Sequence, residues 1–135
     1  MTNSKQKFLI ATLMIIGFWC YVVSGTPNTQ IGFEGCSKTT YAAGDPYGKA
    51  VVSILSDVTK KTPSSPKHSY KVVSHDPNSP SVAFGVCGSS LSDEDCSSCM
   101  IVASNEVQTL CSGHISGIVL LGDCTIGYAK KTKKA

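Results

Sequence analysis

Apolar residues in this chain fall into three patterns, and each predicts a different kind of segment. Residues 8–23 form an almost unbroken apolar run. Val51, Ile54, Leu55 and Val58 recur at i, i+3, i+4 and i+7, the stripe of one helix face. Beyond residue 68, short runs rich in Val, Ile, Phe and Tyr are separated by Gly, Pro, Asn and Asp clusters, as strands are.

The helical stripe has a start and a stop. Asp45-Pro46 offers a capping carboxylate and a proline for the first turn, and Thr62-Pro63 ends the pattern. A second helix is predicted to open at Ser92-Asp93-Glu94-Asp95, a capping-box arrangement. Its apolar face should run Cys96, Cys99, Met100, Ala103, Val107 and Leu110, with Gly113 stopping it just past Cys111. Residues 70–74, 81–87, 115–121 and 124–128 read as strands, and residues 31–36 as an edge strand. Asp76-Pro77-Asn78-Ser79-Pro80 and Gly122-Asp123 supply turns, and Pro63-Ser64-Ser65-Pro66 a loop. The sum is an α+β domain, a small antiparallel sheet of about five strands covered by two helices.

The first apolar run has a different meaning. Lys5 and Lys7 precede it, and Val23-Ser24-Gly25 places small or apolar residues where a signal peptidase cuts. At about sixteen residues it is shorter than the ~20 that span a bilayer. Polar residues 26–30 follow at once. Residues 1–25 are therefore expected to be a signal peptide, cleaved after Gly25, and the protein to be exported to the extracellular space, with no membrane span left in it. Residues 26–129 would form one domain, with 130–135 as a basic tail. The closest approach to a glycosylation site, Asn78-Ser79-Pro80, fails because of its proline.

Charge narrows the choice of partner. The twelve basic residues are all lysine, against nine acidic ones. Two lysines lie in the leader, so residues 26–135 carry a formal charge of +1. Four of the remaining lysines sit in the last six residues. A nearly neutral body without arginine does not suit nucleic acid, which selects a basic face.

Once Cys20 leaves with the leader, Cys36, Cys87, Cys96, Cys99, Cys111 and Cys124 remain. An even count in an exported chain predicts three disulfides. Six cysteines allow 15 pairings. Cys111 lies a helix length from Cys99, roughly 18 Å at the rise of an α-helix, and a disulfide needs Cα atoms within ~7 Å. It therefore pairs with neither Cys96 nor Cys99. If those two do not pair with each other, six arrangements survive, with Cys87–Cys96 the natural local clasp.

Cys87-(x8)-Cys96-(x2)-Cys99, preceded by a strand and Cys36 and followed by Cys111 and Leu121-Gly122-Asp123-Cys124-Thr125-Ile126-Gly127-Tyr128, resembles the ginkbilobin-homologous domain. This is the plant stress-response and antifungal cysteine-rich module. It occurs singly in secreted proteins and in tandem in receptor-like kinases and plasmodesmata-located proteins. The resemblance covers about residues 30–128. It implies two helices on a five-stranded antiparallel sheet, with disulfides Cys36–Cys111, Cys87–Cys96 and Cys99–Cys124. The family's mannose-binding antifungal lectins contact sugar through an Asn just after the first cysteine, an Arg six residues before the last and a Glu five residues after it. Those places here hold Ser37, Ile118 and Ala129. Ser37 could still donate or accept one hydrogen bond, whereas Ile118 and Ala129 offer none. Loss of the guanidinium and the carboxylate removes the charge-assisted bonds.

Other chemistry fits less well. Cys96-x2-Cys99-x11-Cys111-x2-His114 has zinc-like spacing, but export and the leftover Cys36 and Cys87 favour disulfides. No thioredoxin-like pattern surrounds Cys96-x2-Cys99. Asp93-Glu94-Asp95 suits the positive end of a helix dipole. His68, His75 and His114 are scattered, and no nucleophile elbow is present. Tyr41, Tyr47 and Tyr70 are the aromatic candidates for a sugar face. The expectation is a secreted, non-catalytic defence protein with no metal or cofactor. Its partner would be a glycan or cell-wall polysaccharide, or else an extracellular protein, as for an interaction module without lectin activity.

Overall fold

A computed structural model describes residues 26–74 and 76–131. The predicted signal segment, His75 and the last four residues lie outside it. The described chain forms β1 (Ile31–Cys36), α1 (Pro46–Lys61), β2 (Ser69–Val73), β3 (Ser81–Cys87), α2 (Asp93–Leu110), β4 (Gly117–Leu121) and β5 (Cys124–Lys130). The strands make one antiparallel sheet in the order β1-β4-β5-β3-β2. The α+β architecture expected from periodicity is the one observed.

Both helices begin as their sequences dictate. The Asp45 carboxylate accepts from the Tyr47 N–H at 2.9 Å, and Pro46 occupies the first turn. Ser92 Oγ accepts from the Asp95 N–H at 3.1 Å, and Asp93, Glu94 and Asp95 fill the first turn of α2. Helix α1 packs on β3 and β2, and α2 on β5 and β4. Between helices and sheet lie Leu55, Val58, Met100, Ala103, Val107, Val119 and Ile126, all buried.

Three differences from the sequence reading have local causes. Leu110 is exposed rather than on the buried face. From Val107 the seam continues one turn on to Cys111, which is buried and tied to Cys36, so Leu110 is rotated outward. The loop at residues 63–66 is two short 3-10 turns, Thr62–Ser64 and Pro66–His68, each with a proline early in it. Strand β5 runs on to Lys130, which pairs with Ser81, so the expected tail begins one residue later than composition suggests.

The disulfides are Cys36–Cys111, Cys87–Cys96 and Cys99–Cys124, the three pairs that the resemblance implies. The first ties edge strand β1 to the end of α2. The second joins the end of β3 to the first turn of α2, and the third fixes α2 to β5.

Candidate ligand-binding cleft

The helices cover one face of the sheet. Cross-strand register sorts the other face into rows. Phe33, Leu120, Thr125, Val86 and Ser69 form the first. Gly35, Ile118, Gly127, Phe84 and Lys71 form the second. Ala129, Val82 and Val73 belong to a third. An antiparallel sheet covered on one side ordinarily alternates apolar-in and polar-out. Here the uncovered face is itself largely apolar.

Phe33 reaches this face through an irregularity. Ile31 pairs with Leu121, yet Phe33 pairs with Leu120, so Gly32 is the extra residue of a bulge. The bulge sets Ile31 toward the helix side and Phe33 toward the open side. The second row holds glycine at two of its five places. A Cβ on Gly127 would stand 2.7 Å from Phe84 Cε1, and one on Gly35 would stand 3.5 Å from the tip of Phe33. The two rings therefore lie down over glycines, with Phe33 57% and Phe84 38% exposed.

The result is a cleft of about 630 Å³ between the phenyl rings. Ser37, Ile118 and Ala129 all line it, so the structure brings together the three positions singled out by the resemblance. Lys71 is the sole charged side chain on its walls. The Ser37 hydroxyl is already committed. It donates to Thr39 O at 3.1 Å and accepts from the Ser116 N–H at 3.1 Å. A hydroxyl has one proton and two lone pairs, so Ser37 keeps one acceptor position and no donor, less than its sequence suggested. Ile118 stands between Gly35 and Gly127 with nothing polar to offer.

None of the three tyrosines proposed for a sugar face lines the cleft. Tyr47 is buried and donates to Ile115 O at 2.6 Å; Tyr41 packs edge-on against it at 5.2 Å. Tyr70 donates to Asp57 at 3.0 Å. Tyr128 backs the cleft from within. Its one hydroxyl proton is shared between the carbonyls of Cys111 at 3.0 Å and His114 at 2.8 Å, and burial pushes its pKa up to about 12. Phe33, Phe84 and Lys71 were not found by sequence reasoning. The alternation along β3 carries a signal for Phe84, but Phe33 depends on the bulge.

The other candidates have ordinary partners. Both ring nitrogens of His68 face oxygen: Nδ1 lies 3.2 Å from Gly88 O and Nε2 lies 2.9 Å from Asp93 Oδ1. The bond to Asp93, then that to the Gly88 carbonyl, raise its pKa. Ser65 and Ser89 lie nearby, but no ring nitrogen is left over to take a serine proton. His114 Nδ1 lies 2.6 Å from Ser37 O. Cys96, Cys99 and Cys111, the sulfur ligands of the zinc-like spacing, are all disulfide-bonded. No described helix is long and apolar enough to cross a membrane.

Comparison with known proteins agrees with this frame. Residues 35–131 match the family described as salt stress response/antifungal. The antifungal protein ginkbilobin-like protein 1 of Picea glauca is 28% identical over 129 residues, spanning 94% of this chain and 89% of that one. Antifungal protein ginkbilobin-2 of Ginkgo biloba is 25% identical over 127 residues, spanning 93% and 90%. Among solved structures, the tandem DUF26 ectodomain of the Arabidopsis thaliana cysteine-rich receptor-like protein PDLP5 superposes with a TM-score of 0.68 at 23% identity, covering 78% of this chain. The chain spans about half the length of that ectodomain, 51% of it. A two-helix, five-stranded frame with these three disulfides, matched over residues 35–131, places the chain in the salt stress response/antifungal family, that of the ginkbilobin-homologous domain.

Proposed function

We propose that this is a secreted, non-catalytic defence protein of the antifungal type. It meets its target through the cleft at Phe33, Phe84 and Ile118, by apolar contact rather than by binding mannose. The observation that carries the reading is the chemistry of the cleft. Its three family positions supply one hydroxyl with no proton left to donate and two hydrocarbon side chains, and Lys71 is its single charge. Exposed apolar surface of this kind marks recognition sites. The antifungal relatives support the defence role.

The test is growth inhibition of a filamentous fungus by the oxidised protein. Inhibition should persist in excess mannose and be lost in Phe33→Ser, whose ring is too exposed to hold the core together. Relief by mannose, or an unaltered Phe33→Ser, would contradict the cleft reading. Absence of inhibition by the native protein would remove the antifungal role and favour the second reading, an extracellular interaction module.

A further inference from the structure

A second groove, of about 900 Å³, runs along α1 beside the free edge of the sheet. Strand β2 is the terminal strand and is bonded to β3 alone. The Ser74 N–H donates to Ser81 O at 2.8 Å, continuing the β2–β3 register. That bond sets the phase of the ladder, because in an antiparallel pair the bonded positions alternate. Tyr70 and Val72 therefore turn their backbone groups toward β3. Ser69, Lys71 and Val73 turn theirs outward, toward a place where a further strand could lie.

Helix α1 forms the wall of that place. Ser53 and Ser56 keep the wall low, Val52 is 54% exposed, and Val72 is half-buried on the helix-facing side of the strand. Sixteen helical residues run about 24 Å, the length of roughly seven residues of extended chain. A helix lying beside an open sheet edge is the geometry in which extended peptides add as a strand, held by main-chain bonds and selected by side-chain pockets.

The charges along the groove indicate which peptide. Asp57 is occupied, by Lys61 Nζ at 3.1 Å and by the Tyr70 hydroxyl. Asp76 accepts from the Asn78 N–H at 2.9 Å. Lys49 and Lys60 also line the groove, and neither has a carboxylate within ion-pair distance among the described residues. We infer that the α1–β2 groove binds an extended, acidic segment of a partner protein, which adds to β2 as a sixth strand. A second copy of this chain is disfavoured, because edge-to-edge pairing would bring lysines against lysines.

The probe is a random heptapeptide library displayed on phage, panned on the oxidised protein, with an enriched peptide then titrated into isotope-labelled protein. Enriched peptides should carry Asp or Glu. They should shift the amides of Ser69, Lys71, Val73 and Ser53 and leave those of Gly35 and Ile118 unmoved. Val73→Pro deletes one outward donor and keeps the bonds of Val72 to β3, a substitution an edge strand tolerates. It should weaken binding at least tenfold. Lys49→Glu with Lys60→Glu lies on the helix surface, leaves the fold intact, and should weaken acidic peptides by a similar factor. No enrichment, shifts confined to the cleft, undiminished binding by both variants, or an edge closed by dimerisation would each overturn the inference.

Discussion

The Phe84 ring lies across Gly127, its Cε1 atom 2.7 Å from where a Cβ would stand. Gly85, next to Phe84 in β3, is the mirror case on the helix side. A Cβ there would meet Met100 Cε at 2.5 Å, Thr62 Oγ1 at 2.6 Å and Val58 Cγ1 at 2.6 Å. The two glycines should therefore respond differently to alanine. Phe84 is 38% exposed and can swing away, which leaves only the Gly117 carbonyl oxygen, 3.3 Å off, to give by a few tenths of an ångström, so Gly127→Ala should cost less stability while reshaping the cleft. Met100, Thr62 and Val58 are fixed in the core, so Gly85→Ala should destabilise by about 1–3 kcal/mol, the usual cost of overpacking. Thermal denaturation of the two variants checks the contrast, and equal losses would contradict it.

The three disulfides close loops of different size. Cys36–Cys111 spans 75 residues, Cys99–Cys124 spans 25, and Cys87–Cys96 spans 9. In the chain-entropy account, longer loops restrict the unfolded chain more. Loops of these lengths correspond to roughly 4.5, 3.5 and 2.6 kcal/mol. Replacing the pairs by alanine one at a time should give losses in that order, read from denaturant unfolding. If Cys87–Cys96 proves the costliest to remove, local packing rather than chain entropy dominates.

Stability should be greater on the acid side, and two groups say why. His68 has its pKa raised by the Asp93 carboxylate and the Gly88 carbonyl. A base with a raised folded pKa contributes stability in full below its ordinary value near 6.5, and that contribution is lost as pH rises through the folded value. Glu34 has its pKa raised, chiefly by burial and then by Glu106, and its Oε2 atom is buried without a hydrogen-bond partner among the described residues. An acid raised in this way is most favourable while protonated, and stability falls as pH passes upward through its folded value. Melting temperature should therefore decline from pH 5 to pH 8. Glu34→Gln should raise it at pH 7, and His68→Gln should flatten the profile above pH 6. A melting temperature that climbs over this range would contradict both assignments.

Legibility in the sequence followed the range of the interactions. Helix α1 was readable because its buried stripe and its Asp45-Pro46 cap are local. Strands β1 and β3 were readable to their ends because turn residues or cysteines bound them. Cysteine geometry alone left six pairings open, and the family resemblance was needed to choose among them. The cleft was half legible. Its three family positions could be placed by counting from cysteines, but its walls could not. Phe33 faces the cleft through a one-residue bulge opposite β4, and Phe84 shapes it only because Gly127 sits beside it, 43 residues further along the chain. Both depend on pairings between distant segments that no local pattern encodes. The tyrosines misled for a related reason, since Tyr47 reaches across 68 residues to bond the Ile115 carbonyl.

We propose that the cleft lined by Ser37, Ile118 and Ala129 does not bind mannose. A charge-assisted hydrogen bond is worth roughly 1.5–3 kcal/mol, so losing two would weaken sugar binding by about two orders of magnitude or more. Titration of the isotope-labelled, oxidised protein with mannose measures this at the residues concerned. No saturable shift is expected at the amides of Ser37, Ile118, Gly127 or Ala129, and the triple variant Ser37→Asn, Ile118→Arg, Ala129→Glu should gain binding. Saturable shifts at those amides in the native protein, or a triple variant that gains nothing, would contradict it.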